Sequence, residues 1–483
     1  MRPLRRGPAA FLCVLLLCGA SAAQDKFRKS PPLPDPLPEL RLPPLESAVL
    51  SNGLTVAVVR KPSSPMISLQ VVVLAGEADS PPKIPGVASI AAHMIGRGAG
   101  PLSPAEIEDR MESIGGELVA AVSLEQTVFT FNVLEENLDR ALEILGAVFL
   151  QASFPEKSFE AVKRTLYYDL VERQKDPEFV AKRQLLRQLF KGHPFQTAIY
   201  NEDVIKNITR QDVAAFYDRF YRPNNTVLVL AGNMNLQTAS RRISHYFNTW
   251  APRRLDRFFL PPPAPNLQEQ VTFVDIPQAR EATIFLGNII PPATGPDHFP
   301  FMVLNQILGG TPGSRLFMNL RESKGYAYYA FSGEDLYKSC GVFWVRARVT
   351  SEAVVPSVRE ILREIGPAAV EKVSSFEIEQ AKSFLIGNFP LKNEALPDLA
   401  YRAAQVRSFD LGDDHWNRYT QNIILVNLER VLETARRFLE PPPVVVIAGS
   451  IQDLADHIRE FDRVDVHDIQ GNLKWTINKG VEK

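Results

Sequence analysis

The residues most able to do chemistry lie in the segment from Pro85 to Gly98, which contains one histidine, His93, and no carboxylate. A helical H-x-x-E-H zinc site needs two imidazoles four residues apart to hold the metal, and a glutamate between them to take a proton from bound water. That spacing places Ser89 at the first histidine, Ala92 at the glutamate and His93 at the second histidine. The segment therefore keeps the frame of a zinc site without its full ligand set or its base.

No other stretch of the sequence supplies the missing chemistry. Among the seven histidines, His457 begins the same motif and Glu460 follows it, but Phe461 stands where the second imidazole would be. Cys340 is the one cysteine after residue 22, and its apolar neighbours are typical of packing rather than of a nucleophile. We therefore expect no metal in this chain and no cysteine catalysis.

The overall composition indicates a globular protein without a nucleic-acid partner. The chain has 483 residues, 45% of them hydrophobic and 23% charged, which is enough for two or three domains with sizeable cores. Lysine and arginine number 54 against 55 aspartate and glutamate, so the formal net charge is -1. This balance creates no field that would attract nucleic acid.

The first 22 residues have the features of a cleaved secretory signal. Arg2, Arg5 and Arg6 precede an apolar run that ends at Cys18, and Ala20-Ser21-Ala22 gives the small-x-small pattern found before a cleavage site. The run is about half of the roughly 20 residues that span a bilayer, so we expect no membrane segment after cleavage. These features predict an exported protein, either periplasmic or secreted.

An internal repeat divides the rest of the chain into two similar halves. The segment that ends at Gly232 recurs in the segment that ends at Gly449, 217 residues later, and Phe159-Glu160 recurs as Phe376-Glu377 at the same separation of 217. Repeats of this length are whole domains. We predict a signal peptide (1–22), a proline-rich arm (23–44), a first domain (45–252), a linker (253–270), a second domain (271–462) and a tail (463–483).

Each half has the pattern of an α+β domain. In the first half, residues 54–59 and 67–75 are rich in β-branched residues, and residues 117–134 alternate as paired strands do. The second half repeats the order of strand, helix, strand and helix over residues 283–286, 299–308, 342–349 and 354–365. We therefore predict two tandem homologous domains, each a mostly antiparallel sheet with helices packed on one face.

Two stretches of sequence carry a family resemblance. The first is Pro85-Gly86-Val87-Ala88 followed by His93-Met94 and Gly98, and the second runs from Ile307-Leu308-Gly309-Gly310 to the segment between Leu320 and Tyr328. Together they resemble the insulinase/pitrilysin family, the inverzincin metallopeptidases that include the mitochondrial processing peptidases. The resemblance extends from Leu45 to about Phe461, and it implies a metallohydrolase fold like that of the processing peptidases.

The resemblance implies that this chain lacks the family's zinc. It aligns the metal histidines with Ser89 and His93, and the catalytic glutamate with Ala92. The third ligand, a glutamate in the family, falls at or beside Asp169 when Asp176-Pro177 is used as the anchor. His93 and Asp169 would provide two protein ligands where a catalytic zinc usually has three. No metal and no cofactor are expected in this chain.

The resemblance also implies that another part of the site is intact. In the family, the residues corresponding to Arg321 and Tyr328 bind the substrate near the scissile bond and help to stabilise the oxyanion, roles that suit a guanidinium and a phenol. Leu74-Ala75-Gly76-Glu77 resembles the edge strand on which the family's peptide substrates pair. The alternatives are that Arg321 pairs with Glu322 or Asp335 and that Tyr328 is part of strand packing.

This combination predicts a non-catalytic subunit of a zinc-dependent peptidase. The resemblance implies a heterodimer in which a zinc-bearing insulinase-family subunit cuts unfolded peptides and this chain supplies Arg321 and Tyr328 to its active site. One alternative is a catalytically inert scaffold or peptide-binding protein of the same fold. Another is a self-sufficient protease that uses some other site.

Overall fold

The chain forms two mixed sheets surrounded by helices. A computed structural model describes residues 42–255, 260–277 and 279–479; the predicted signal peptide and all but the end of the predicted arm lie outside these residues. The strands are β1 (Leu45–Val49), β2 (Thr55–Arg60), β3 (Met66–Val73), β4 (Leu118–Val122), β5 (Thr127–Leu134), β6 (Thr226–Gly232), β7 (Gln270–Asp275), β8 (Ala282–Ile290), β9 (Ala327–Leu336), β10 (Gly341–Val349), β11 (Val444–Gly449), β12 (Arg463–His467) and β13 (Leu473–Asn478).

The helices of the first half cover residues 87–247 and those of the second half cover residues 298–458. Among the described helices, none is long and apolar enough to cross a membrane. The α-helices are α1 (Val87–Met94), α2 (Pro104–Glu112), α3 (Leu138–Leu150), α4 (Glu156–Arg173), α5 (Pro177–Leu189), α6 (Glu202–Ile205), α7 (Arg210–Phe220), α8 (Leu236–Phe247), α9 (His298–Gly309), α10 (Arg315–Phe317), α11 (Val354–Ile365), α12 (Pro367–Val370), α13 (Ser375–Asn388), α14 (Leu396–Ser408), α15 (Tyr419–Ile424), α16 (Leu428–Leu439) and α17 (Ile451–Ile458).

The two sheets share one plan. The first has the strand order β1-β2-β6-β3-β5-β4, and the second has the order β13-β12-β7-β11-β8-β10-β9. In each, the central strand (β6 or β11) is parallel to one neighbour and antiparallel to the other. Most other neighbours are antiparallel. The structure therefore confirms the predicted pair of mostly antiparallel α+β domains.

Each sheet is covered on both faces, because one helix of each half packs on the sheet of the other half. The helices of the same half cover one face of each sheet around an apolar core. The opposite face of the first sheet packs against α14, and that of the second sheet packs against α5. This reciprocal arrangement explains why the central strands β6 and β11 are buried along their whole length and read as continuous apolar runs.

The predicted tail belongs to the second sheet. Residues 463–467 form β12, which pairs in parallel with β7, and residues 473–478 form β13, which pairs with β12. Helix α5 holds the turn between them: Arg183 donates to the carbonyl oxygen of Ile469, and Arg187 and Asn201 donate to that of Gln470. The predicted boundary at 462 was therefore wrong, since the second sheet would lose two paired strands there.

One of the two sequence matches used to find the repeat does not join equivalent positions. Phe159 lies in the first core and is 2% exposed, whereas Phe376 on α13 is 70% exposed. The glycine match is sound, because Gly232 and Gly449 end the corresponding central strands β6 and β11. The repeat is real, but its spacing is not constant along the chain.

The exchange of helices predicts that α14 is essential to the first sheet. Ala400 on α14 is fully buried among the valines of that sheet, so Ala400→Asp would place an unpaired charge in an apolar interface. We expect it to lower the free energy of unfolding by about 3 kcal/mol or more, measured by urea denaturation. Tyr401→Asp, at the exposed next position, should change it by less than about 1 kcal/mol. Equal effects of the two substitutions would contradict the packing described.

Candidate functional site

Helix α1, which carries Ser89, Ala92 and His93, is held at its N-terminus by a buried glutamate. Gly86 begins the helix with φ 94°, a conformation that favours glycine, and a Cβ there would lie 3.0 Å from the ring of Tyr200. The Glu77 carboxylate accepts from the backbone N–H of Gly86 at 3.1 Å and from that of Ser89 at 3.0 Å. These donors are the ones that an α-helix leaves without partners in its first turn, so Glu77 acts as a remote cap.

The same carboxylate also binds three hydroxyl groups. Ser89 donates to it through a short hydrogen bond, Ser80 at 3.2 Å and Tyr200 at 3.3 Å. Burial raises the pKa of Glu77, although the hydrogen bonds from Ser89, Ser80 and the backbone oppose that rise. The hydroxyl of Ser89 is therefore directed to a structural carboxylate and not to a substrate.

His93 and Ala92 lie one turn further along α1. His93 is exposed, and its Nδ1 is 2.8 Å from the carbonyl oxygen of Ser89. A carbonyl can only accept, so Nδ1 is the donor, and in the neutral tautomer that this bond selects the lone pair is on Nε2. Ala92 is 1% exposed and packs in the first core. Of the three positions that a helical zinc site would use, only His93 has a nitrogen, Nε2, that could bind a metal.

These residues do not fit a catalytic zinc. Asp169 is exposed on α4, and it makes no hydrogen bond or ion pair within the described residues. Across the same residues, no three or more histidine, cysteine, aspartate or glutamate side chains gather into a group that could hold a metal. His93 and Asp169 are thus without a third ligand, and Ala92 has no proton-accepting group.

The segment Leu74-Ala75-Gly76-Glu77 is not an edge strand, contrary to the prediction. It follows β3, which lies inside the first sheet between β6 and β5. The N–H of Leu74 donates to Asn225, the N–H of Glu77 donates to Ser123, and the carbonyl oxygen of Ala75 accepts from Thr127. These backbone groups are already paired within the fold, so the segment does not form the free edge that was predicted.

The edge strand on this side of the first sheet is β4, which ends the strand order. Its pairing with β5 runs from Leu118 opposite Phe131 to Val122 opposite Thr127, which leaves its other edge free. Residues of β4 and the Ala92–His93 end of α1 line one cavity of ≈ 410 Å³. The degenerate zinc position therefore borders a free strand edge.

Arg321 lies in a π-helical turn that runs over Met318–Ser323. A π-turn widens the backbone, and such turns are frequent at functional sites. The Arg321 side chain is half exposed: its guanidinium lies 4.9 Å from the centroid of the Phe317 ring and 3.7 Å from a Glu322 carboxylate oxygen. Among the described residues it makes no ion pair or hydrogen bond with the first half of the chain. The alternative that Arg321 pairs with Glu322 is therefore present in the structure, between two side chains that are both about half exposed.

Tyr328 is the extra residue of a bulge in β9. This strand forms one edge of the second sheet, and β13 forms the opposite edge. Arg348 of β10 pairs with Tyr329 and Val349 pairs with Ala327, so Tyr328 has no partner opposite it. Bulges of this kind redirect a side chain and are common beside active sites. The side chain of Tyr328 is 56% exposed, and its hydroxyl makes no hydrogen bond within the described chain. The predicted packing role for Tyr328 therefore has no support.

The arginine turn is anchored on both sides. Arg315 forms an ion pair with Glu377 on α13 at 2.6 Å, and Asn319 donates to Glu360 and Glu364 on α11. The next residue after Tyr328, Tyr329, donates to Glu178 on α5 through a short hydrogen bond. The backbone around Arg321 and Tyr328 is thus fixed while both side chains remain exposed.

Sequence reasoning missed Glu77 as a cap and β4 as the free edge. The alternation of residues 117–134 predicts paired strands, but it cannot show which of them ends the sheet. Glu77 is ten residues before α1, so no local capping pattern connects the two. Only the folded arrangement reveals either feature.

Two family models match the chain in succession. The model described as Insulinase (Peptidase family M16) matches residues 55–203, and the model described as Peptidase M16 inactive domain matches residues 207–385. Together they cover most of the chain.

Curated relatives are similar over most of their length. A Bacillus subtilis protein named an uncharacterized zinc protease is 23% identical over 402 residues, covering 83% of this chain and 97% of the relative. A probable mitochondrial-processing peptidase subunit beta from Arabidopsis thaliana is 24% identical over 442 residues, covering 86% and 81%.

Solved structures share the fold. A peptidase M16 inactive domain from Pseudomonas fluorescens has a TM-score of 0.78 at 20% identity, covering 84% of this chain and 98% of its own. A protease from Helicobacter pylori has a TM-score of 0.75 at 21% identity, covering 84% and 100%. At these identities the structures establish the fold alone.

Removal of the Ser89 hydroxyl should weaken the fold. Ser89→Ala deletes a hydrogen bond to a buried carboxylate, so we expect the free energy of unfolding to fall by about 2 kcal/mol in urea denaturation. Ser113→Ala is the control, since Ser113 is exposed, donates to the carbonyl oxygen of Arg110 and accepts only from the exposed Arg140 within the described residues; its effect should stay below about 0.5 kcal/mol. An unchanged urea midpoint for Ser89→Ala would contradict the role of Glu77 as a cap.

The buried carboxyl of Glu77 and the half-buried carboxyl of Glu377 should give stability opposite dependences on pH. Glu77 has its pKa raised above 4.5, so its contribution to the free energy of unfolding declines as pH rises above that value. In Glu77→Gln this decline should be absent.

For Glu377, burial opposes ionisation, but hydrogen bonds from Arg315 and Ser374 lower the pKa to about 2. Its contribution is present above 4.5 and is lost as pH falls towards 2, and Glu377→Gln should remove that loss. Urea midpoints measured from acid to neutral pH test both pH dependences. If the midpoint changes with pH in the same way for wild type and Glu77→Gln, the role assigned to Glu77 is wrong.

Proposed function

The chain belongs to the insulinase family, peptidase family M16, and we propose that it is a non-catalytic subunit which donates Arg321 and Tyr328 to the active site of a zinc-bearing relative. The observation that carries this proposal is the state of those two side chains. Each sits at a backbone irregularity and is about half exposed; Arg321 contacts only Glu322 and Phe317 of its own segment through its charge, and the Tyr328 hydroxyl makes no hydrogen bond within the described residues.

The chemistry of the pair suits the transition state of peptide hydrolysis. Attack of water on a peptide carbonyl develops negative charge on its oxygen, which fixed donors stabilise. Arg321 provides a charged donor and Tyr328 a neutral one, and both are supported by anchored backbone. The pair supplies donors and no base to take a proton from the water, and this chain has Ala92 at the position where such a base would stand. The base and the metal must therefore come from the partner.

The free edge of β4 gives the complex a place to hold a peptide. An extended peptide can add to an edge strand by main-chain hydrogen bonds, with alternate side chains entering pockets. The cavity that β4 shares with His93 would receive such side chains. We propose that this chain binds unfolded peptides there without cutting them. In the same proposal this activity is in the periplasm or outside the cell, which the signal-like first 22 residues support.

Reconstitution with a zinc-bearing relative tests the proposal. The relative should have an intact H-x-x-E-H motif, and peptide hydrolysis is measured for each chain alone and for the mixture. We expect the mixture to exceed the sum of the separate chains, and Arg321→Ala to lower its kcat/KM by about 100-fold. Arg359→Ala is the control, because Arg359 is exposed and pairs only with Glu460; it should have no effect.

Two results would overturn this function. Zinc-dependent hydrolysis by the isolated chain would show that it is an enzyme in its own right. A mixture whose activity is the same with wild type and with Arg321→Ala and Tyr328→Phe would show that the pair does not act on substrate, and it would favour the inert scaffold.

A further inference from the structure

One carboxylate of the first half, that of Glu178 on α5, is bound to the bulge that carries Tyr328. The hydroxyl of Tyr329 on β9 donates to it through a short hydrogen bond, and Arg346 and Arg348 on β10 donate to it at 2.8 Å and 3.4 Å. Tyr329 and Arg348 form the last regular pair before the register shifts. Glu178 therefore holds both strands at the residue pair beside the bulge.

The start of α5 fixes the position of Glu178. Asp176 is the N-cap residue, and its side chain accepts from the backbone N–H of Glu178 at 3.0 Å. Pro177 occupies the first helical position, which suits its fixed φ. A negative charge in the first turn is also favourable to the helix dipole. Because α5 itself packs on the second sheet through an apolar core, the carboxylate is presented from a rigid support.

The three donors share this one carboxylate. Arg346 and Arg348 are two residues apart on β10, so their side chains project from the same face of the sheet, and neighbouring guanidinium groups repel each other without an anion between them. The other carboxylate near Arg348, that of Glu281, is 3.8 Å away. Burial and the Glu178 carboxylate raise the pKa of the Tyr329 hydroxyl, so it keeps its proton and stays a donor. Removal of Glu178 would leave two like charges and a hydroxyl without their shared acceptor.

A path of aromatic contacts leads from Tyr329 to Arg321. The ring of Tyr329 is stacked on that of Phe331, with centroids 6.2 Å apart and an angle of 16° between the planes. Phe331 contacts Phe317 with centroids 5.3 Å apart, and the guanidinium of Arg321 lies 4.9 Å from the Phe317 centroid. Aromatic pairs at such separations attract each other, as do a cation and a ring face. The group that holds Tyr329 is therefore connected to the guanidinium through three rings.

We infer that Glu178 is a positioning residue, which orients Tyr328 through the bulge and Arg321 through the aromatic path. This inference rests on the proposed action of Arg321 and Tyr328 in the active site of a partner, and it adds the group that holds them in place. Glu178 belongs to the half of the chain that contains the degenerate zinc position, and α5 carries it onto the second sheet. The first half then contributes to the orientation of the donors in the second half.

The same helix and strand provide a matched control. Lys182 of α5 pairs with Asp335 of β9 at 2.8 Å, so this ion pair also connects the first half to the edge strand. Asp335 is next to the last residue of β9, at the opposite end of the strand from the bulge. Lys182→Gln therefore removes an ion pair between the halves and leaves the bulge untouched. A general weakening of the contact between the halves should appear in this control.

Hydrogen exchange tests the positioning on the purified protein alone. In Glu178→Ala, the backbone amides of residues 318–331 should exchange about fivefold faster or more, measured by mass spectrometry, because the turn and the bulge lose their support. Tyr329→Phe deletes one hydroxyl and keeps the ring, so it should speed exchange around the bulge even if Glu178→Ala does not fold. Lys182→Gln should leave the exchange of both segments unchanged.

Reconstitution with a zinc-bearing relative tests the effect on the proposed site. Glu178→Ala should lower kcat of the mixture by about tenfold and change KM by less than about twofold, because misplaced donors stabilise the transition state less. In a chain that already carries Arg321→Ala and Tyr328→Phe, the same substitution should change kcat by less than about twofold, since no donor is left to orient.

The outcomes separate this inference from the proposed function. Equal exchange in Glu178→Ala and Lys182→Gln would overturn the inference. An equal loss of kcat with and without the Arg321 and Tyr328 side chains would also overturn it, because the effect of Glu178 would then be on folding alone. If Arg321→Ala with Tyr328→Phe does not lower the activity of the mixture, the proposed function is wrong, and with it the role of Glu178 in catalysis, whatever the exchange shows.

Discussion

The fold depends on one constraint: each sheet has two apolar faces, and the helices of its own half cover only one of them. The exchange of α5 and α14 between the halves solves this problem in both sheets at once. Because α5 also holds the turn between β12 and β13 through Arg183 and Arg187, the end of the chain is tied to its first half. The two halves therefore form a single unit, and the surfaces with which this unit meets other molecules have fixed positions.

Helix α1, which carries Ser89, Ala92 and His93, is bound into the fold. In α1, Ser89 and the backbone around it now serve the Glu77 carboxylate, which accepts five hydrogen bonds in a buried setting. Ala92 is part of the core. Substitutions in this helix should consequently affect folding and not chemistry. The opposite is expected for Arg321 and Tyr328, whose side chains are about half exposed and lie outside the apolar cores.

Much of the fold follows from local sequence, whereas the functional geometry does not. Continuous apolar runs predict β6 and β11, and the repeat that ends at Gly232 and Gly449 predicts two similar domains. The π-turn at Arg321 and the bulge at Tyr328 lie in a segment that is held by distant groups such as Glu360 and Glu377, and no local sequence pattern predicts either irregularity. Nor can a strand's own residues show whether it lies inside a sheet, as Leu74–Glu77 illustrates. The strands of the predicted tail are short and polar on one side, so their pairing with β7 appears only in the structure.

The central claim is that Tyr328 reaches a peptide in the active site of another chain. The most direct test replaces Tyr328 with the photoreactive amino acid p-benzoylphenylalanine, irradiates the complex with a zinc-bearing relative in the presence of a labelled substrate peptide, and identifies the cross-linked species by mass spectrometry. We expect a link from position 328 to the peptide when the partner is present, and none from the exposed position of Trp475 on β13, at the opposite edge of the second sheet. Cross-linking that is equal with and without the partner, or absent from position 328 while the complex hydrolyses peptide, would contradict it.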